Sequence, residues 1–185
     1  DAVFQNRQIA ERRSAALGGR GFAPGNYFLV TAHRAENVDT KDRIAGIIGG
    51  LASLGRTYGL PVVFPMHPRT QKMVKEFGID TAGITITEPI GYMEFLELEA
   101  NARLVLTDSG GVQEEACILN VPCVTLRENT ERPETIAAGA NMLAGTDATR
   151  IIGAAETMLT RSRDWQNPYG DGKAGERIVG ICSAV

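Results

Sequence analysis

Short, almost wholly apolar runs alternate along this chain with longer stretches of helical periodicity, and that alternation narrows the possible folds more than any other feature. Val62-Val63-Phe64, Leu104-Val105-Leu106 and Val124-Thr125-Leu126 lack the in–out polarity of a half-exposed strand. Strands of that kind are covered on both faces, as in a parallel sheet. The pattern predicts strands over 27–32, 61–66, 84–87, 103–107, 122–126 and, more weakly marked, 141–144. Helices are expected over 40–58, 69–77, 93–101, 112–119, 132–138 and 147–161. In the first of these, Ile44, Ile47, Ile48, Leu51 and Leu54 recur three and four apart and give one buried stripe. Thr146 or Asp147 suits the cap of the last. Repeated β-α alternation within 185 residues argues a single doubly wound α/β domain.

The charge balance, 19 basic against 22 acidic residues for a net −3, removes the general electrostatic case for nucleic acid or an anionic membrane surface. A local basic site for a small anion is compatible with it. No apolar run approaches the ~18 residues of a membrane span, and residues 1–13 are charged, without the apolar stretch of a signal peptide. Cys117, Cys123 and Cys182 lack CxxC spacing, so neither a disulfide framework nor a metal site is indicated. The first two read as small core residues. The expectation is a cytoplasmic protein without metal or cofactor.

In an open parallel sheet, ligands sit beyond the carboxyl ends of the strands. The segments that follow the expected strands are His33-Arg34-Ala35-Glu36-Asn37, His67-Pro68-Arg69, Glu88-Pro89-Ile90-Gly91, Asp108-Ser109-Gly110-Gly111 and the run from Arg127 to Glu134. Both histidines of the chain are among them. In Leu104-Val105-Leu106-Thr107-Asp108-Ser109-Gly110-Gly111-Val112-Gln113-Glu114-Glu115-Ala116 a strand passes through Ser-Gly-Gly straight into a helix. Free N–H groups at that helix start, with no Cβ at Gly110 or Gly111, make a site for a phosphate or pyrophosphate. Glu115, about one turn on, suits a pair of sugar hydroxyls. The plainer reading is that Asp108 and Ser109 cap the helix and the glycines form a tight turn.

His33 and Arg34 suit a bound phosphate, as donor and fixed charge, or else are a backbone-bonded edge histidine and a solvated arginine. His67 before Pro68 is equally consistent with an ordinary helix entry. Arg132 is placed to reach a phosphate, and Glu131 and Glu134 to accept from hydroxyls, unless the segment is a solvated charged turn. Tyr92 and Phe95 frame a base or belong to the core. No G-x-G-x-x-G follows the first strand, and P-loop, H-E-x-x-H and G-x-S-x-G patterns are absent.

Taken together, Val30-Thr31-Ala32-His33-Arg34-Ala35-Glu36-Asn37, His67-Pro68-Arg69-Thr70, the run from Thr107 to Ala116, Thr130-Glu131-Arg132-Pro133-Glu134 and Asn167-Pro168-Tyr169-Gly170-Asp171-Gly172-Lys173-Ala174 resemble the C-terminal half of the non-hydrolysing UDP-N-acetylglucosamine 2-epimerases. The resemblance spans nearly the whole chain. It implies a Rossmann-like domain, one of two in a GT-B arrangement, with residues 1–185 as the nucleotide-sugar-binding domain and the N-terminal domain absent. Ser109, Gly110 and Gly111 then resemble the diphosphate cradle and Glu115 the ribose carboxylate. Ile90 and Phe95 fall where uracil is framed, and Arg132 where an arginine contacts the UDP-sugar. His33 falls where a catalytic histidine faces the reacting sugar and phosphate. Arg34 and His67 lie where a regulatory UDP-sugar site occurs in some members.

The family reaction interconverts UDP-GlcNAc and UDP-ManNAc by eliminating UDP and re-adding it, in polysaccharide biosynthesis. The resemblance implies UDP or UDP-GlcNAc as ligand, the N-terminal domain as partner, and a homodimer for the full-length protein. The acid/base carboxylates of the family belong to that other half, so this chain is expected to bind without epimerising. A GT-B glycosyltransferase domain, a non-catalytic nucleotide-binding module and a hydrolysing relative are the competing readings.

Overall fold

The computed structural model describes residues 1–13 and 21–184. All the expected strands are present, a residue or two shorter at their ends: β1 (Phe28–Thr31), β2 (Val62–Pro65), β3 (Thr85–Thr87), β4 (Leu104–Thr107), β5 (Cys123–Thr125) and β6 (Asn141–Leu143). They pair in parallel in the order β3-β2-β1-β4-β5-β6. Strands are added outward from β1 first on one side (β2, β3) and then on the other (β4, β5, β6), and this switch opens a crevice at the carboxyl ends of β1 and β4.

Side chains of β1 alternate between two separate cores. Phe28 and Val30 join a cluster with Ile44, Ile47, Leu51 and Ile151, while Tyr27 and Leu29 join Leu96, Leu98, Ala116 and Leu119 on the other face. Both faces of the central strands are therefore buried, which is why their sequences show no polar alternation. The first cluster is closed by α3 (Lys41–Tyr58) and α8 (Ala148–Thr160), the second by α5 (Tyr92–Ala100) and α6 (Gly110–Ile118). The remaining helices are α1 (Ala2–Arg13), α2 (Ala35–Val38), α4 (Pro68–Glu76), α7 (Pro133–Ala137) and α9 (Ala174–Ser183). No helix among the described residues is long and apolar enough to cross a membrane.

Helices α1, α2 and α9 are additions to the expected set. Among its described side chains α1, packed against α5, buries only Val3 and Ala10, and α9 leaves Ile178, Val179 and Ile181 exposed. Neither displays the buried stripe by which helices are recognised in sequence. α6 begins at Gly110, two residues before the expected start, so both glycines lie within its first turn. Of the two candidate caps of α8, Asp147 is the one used: its Oδ1 accepts from the Arg150 N–H at 3.0 Å.

α3 and α8 approach so closely that Gly46 is indispensable. A Cβ there would lie 2.3 Å from the Thr146 carbonyl oxygen, a backbone atom that cannot swing away. Gly46→Ala is expected to lower the free energy of unfolding by about 1–3 kcal/mol through overpacking. Gly49→Ala, where a Cβ meets open space, is the control for urea denaturation and is expected to be neutral or slightly stabilising.

Candidate functional site

The site is built where β1 and β4 end side by side. Thr31 and Thr107 are register partners, and their hydroxyls bond at 2.7 Å. One residue further, Asp108 is completely buried. Its carboxylate accepts from the N–H groups of His33 at 3.0 Å and Arg34 at 2.9 Å, and from the Asn37 amide at 3.1 Å. Asn37 donates in addition to the Leu126 carbonyl at 2.9 Å. One acid thus ties the segments that follow β1 and β4 to the end of β5.

That geometry removes the reading in which Asp108 or Ser109 simply caps α6. Asp108 faces the β1 loop, and the Ser109 side chain makes no capping bond. The Ser109 N–H is committed to Thr107 Oγ1 at 2.9 Å, so it does not belong to the anion cradle. Intrahelical bonding starts with Gln113 N–H to the Ser109 carbonyl at 3.2 Å. The N–H groups of Gly110, Gly111 and Val112 consequently have no intrahelical acceptor, and the helix dipole adds positive potential where they point.

Neither glycine is demanded by the protein itself. Both have ordinary helical backbone angles. A Cβ on Gly110 would meet nothing closer than 3.7 Å, and one on Gly111 nothing closer than 3.9 Å. Glycine in a helix is nevertheless unfavourable by up to about 1 kcal/mol relative to alanine. Their missing side chains leave the backbone N–H groups open to approach from outside.

Next to this helix start lies an open cavity of about 220 Å³, lined by Thr31, His33, Pro65, His67, Pro89, Ile90, Phe95, Ser109 and Val112. The structure thus brings His33, Ile90, Phe95 and Ser109 together, with His67, which the sequence assigned to a separate regulatory site, beside them. His33 turns Nδ1 toward Asp108, 3.5 Å from Oδ1, which leaves Nε2 for a ligand. The two imidazole rings lie 6.3 Å apart. His67 also fulfils its plainer reading: Nδ1 accepts from the Arg69 N–H at 3.2 Å and caps α4, with Pro68 in the first turn.

Arg34, Gly110, Gly111, Glu115 and Arg132 lie outside the cavity lining. Arg34 contributes its N–H to Asp108. Arg132 flanks the cradle, with its guanidinium carbon 3.8 Å from where a Gly110 Cβ would stand, and it contacts the Glu114 carboxylate. Its loop is held by a buried polar chain. The Arg132 N–H donates to Thr130 Oγ1 at 2.9 Å, Thr130 bonds Gln113, and Gln113 is bonded in turn by Asn141.

Glu131, expected to accept from ligand hydroxyls, is instead engaged by the nearly buried Arg127 at 2.8 and 2.9 Å. That guanidinium holds the Glu131 carboxyl below its usual range. It also bonds Glu36 at 2.7 Å and so joins the loops after β1 and β5. Glu115 lies one turn along α6 from Gly111 and accepts from the Tyr92 hydroxyl at 3.0 Å. Burial raises the Glu115 carboxyl, and burial, with Glu115 beside it, pushes the Tyr92 phenol up to about 12.

Asp108 and Arg127 are the organising residues that the sequence did not single out. A signal existed in the Thr ends of β1 and β4, but only the strand order makes those ends neighbours.

A family model described as UDP-N-acetylglucosamine 2-epimerase matches residues 1–183. The UDP-N-acetylglucosamine 2-epimerase of Methanocaldococcus jannaschii is 52% identical over 188 residues, a match covering 98% of this chain and 51% of that protein. Its counterpart from Methanococcus maripaludis is 48% identical, with the same coverage of 98% and 51%. The crystal structure of the M. jannaschii protein in complex with UDP-GlcNAc and UDP superposes with a TM-score of 0.89 at 50% identity, over 100% of this chain and 52% of that one. The chain spans about half the length of the curated relatives it matches.

Proposed function

The chain belongs to the UDP-N-acetylglucosamine 2-epimerase family, and from that premise we propose that it supplies the nucleotide-binding half of an enzyme that interconverts UDP-GlcNAc and UDP-ManNAc. The observation that carries this reading is the pair of glycines in the first turn of α6, unneeded by the fold, beside three N–H groups without intrahelical acceptors. A diphosphate presents oxygens that match them.

In this assignment the diphosphate rests on Gly110, Gly111 and Val112, with the Ser109 hydroxyl and the Arg132 guanidinium alongside. Ile90 and Phe95 frame the uracil, and Glu115 accepts from the ribose hydroxyls. His33 presents Nε2 toward the phosphate and the reacting sugar. Arg34 and His67 contribute, if a second nucleotide-sugar is bound, to a regulatory site.

Loss of UDP from C1 of the sugar builds negative charge on the departing diphosphate, and fixed donors in a partly dehydrated cleft stabilise that charge as it develops. The groups named above meet this need. Removal of the C2 proton needs a positioned base, which belongs to the N-terminal domain that this reading requires as partner. The chain alone therefore binds and does not epimerise, and the homodimer belongs in this reading to the full-length protein.

Titration of the chain with UDP by calorimetry tests the assignment. Ser109→Ala and Arg132→Ala are each expected to weaken binding by about 1–3 kcal/mol, the cost of a lost charge-assisted hydrogen bond. Ser109→Ala leaves stability nearly unchanged, because its side chain caps nothing. Unaltered affinity in both variants, or turnover of UDP-GlcNAc by the chain alone, contradicts the reading.

A further inference from the structure

Two fully buried acids sit in opposite surroundings in this molecule. Asp108 is met by three donors, whereas Glu99 of α5, equally inaccessible, has no hydrogen-bond partner on either carboxyl oxygen when it is taken as an ionised acceptor. An ionised carboxylate so placed is strongly disfavoured. A second acid, Glu115 of α6, lies within hydrogen-bonding reach of it. Two carboxylates cannot bond to each other until one of them carries a proton.

We propose that Glu99 and Glu115 hold one proton between them, with Glu99 as the neutral donor and Glu115 as the carboxylate presented to the nucleoside. Glu115 then receives two donors from the protein, the Glu99 carboxyl and the Tyr92 hydroxyl, and keeps its remaining lone pairs for the ligand. The consequence for nucleotide binding rests on the assignment of Glu115 to the ribose; the shared proton itself does not.

Burial and the neighbouring negative charges favour retention of that proton, while the Tyr92 hydroxyl, which donates to Glu115, favours its carboxylate. Glu115 faces Glu99 from α6, Tyr92 lies at the start of α5, and the buried Cys123 of β5 feels the Glu99 charge. Glu114 adds a further negative charge beside Glu115, and Asn6 of α1 contacts the Tyr92 hydroxyl. Burial first, and the Glu115 charge second, raise Glu99 well above the ordinary carboxylic-acid range.

The sign of the pH effect follows. In the unfolded chain Glu99 loses its proton near its ordinary value of 4.5. The native state keeps the proton to higher pH, so stability declines from there until the native pair titrates, and is level beyond. Once the pair is doubly ionised, a second buried negative charge stands beside the nucleotide and opposes it.

Glu99→Gln retains a donor toward Glu115 at every pH and cannot ionise. Unfolding of both proteins in urea from pH 4 to 9 is expected to show the wild-type unfolding constant rising against that of the variant by up to about tenfold per pH unit, the limit for one linked proton. UDP affinity of the wild type, taken relative to E99Q so that titration of the phosphate cancels, is expected to fall by up to about tenfold per unit once the pair loses its proton. Glu99→Met, which removes the acid altogether, is the second variant for stability should E99Q fail to fold.

Parallel stability profiles of wild type and variant overturn the shared proton. Divergent stability with a constant ratio of UDP affinities overturns its link to the ligand. Divergent stability in a wild type that binds no UDP at any pH upholds the proton and removes the ribose assignment instead.

Discussion

Replacing Asp108 by Ala is expected to destabilise the chain by about 3–5 kcal/mol, the range for removing one partner of a buried charged network. The change strips the acceptor from the N–H groups of His33 and Arg34 and from the Asn37 amide in a place closed to solvent. Each orphaned donor carries a desolvation cost of roughly 1–3 kcal/mol, moderated where water enters the vacated volume. The same substitution releases the loop that carries His33, so UDP binding should weaken in whatever fraction remains folded. Asp108→Asn keeps one acceptor oxygen but turns an N–H₂ toward backbone donors, and its loss should be smaller but still measurable in urea. A D108A variant within about 1 kcal/mol of the parent, below the cost of even one orphaned donor, would mean that this carboxylate does not organise the crevice.

The second large effect has opposite signs on two measurements. Gly111→Ala is expected to stabilise the fold by up to about 1 kcal/mol, because alanine is the better helix former and its Cβ meets no atom closer than 3.9 Å. In the proposed site the same methyl group stands where the diphosphate approaches the N–H groups. UDP affinity in the double variant Gly110→Ala/Gly111→Ala is expected to drop by about 2 kcal/mol or more, as two charge-assisted hydrogen bonds are lengthened or lost. Gly46→Ala marks the contrast, since that glycine serves the packing of α3 on α8 and its loss should harm stability first. A G111A protein that is less stable and binds UDP as well as the parent would reverse the interpretation of both glycines.

What sequence alone conveys about this chain depends on how far apart the interacting residues are. The strands were legible because burial on both faces leaves an unmistakable apolar imprint on Val62–Pro65 and Leu104–Thr107. The expected start of α6 falls two residues late because Gly110 and Gly111 are poor helix formers and carry no local signal for a helix. α1 escaped notice since few of its residues are buried, and a charged segment reads as solvated.

In the site, the local pattern brings His33, Ile90 and Ser109 to one cavity, because each follows a strand and all strands run the same way, and Phe95 joins them from the start of α5. The role of Asp108 was hidden, since it depends on β1 lying beside β4 across 76 residues of sequence. Glu131 misled for a related reason. Its partner Arg127 is only four residues away, yet the burial that makes the pair exclusive comes from the packing of the β5 loop against Glu36. The pairing of Glu99 with Glu115 joins two helices that the sequence offers no means of docking.

The central claim is that the N–H groups opening α6 grip paired phosphates, and a crystal structure of this chain grown with UDP tests it most directly. The account predicts diphosphate oxygens within hydrogen-bonding distance of the Gly110, Gly111 and Val112 nitrogens, with uracil against Ile90 and Phe95. A nucleotide bound elsewhere on the molecule, with that helix start facing only solvent, would contradict it.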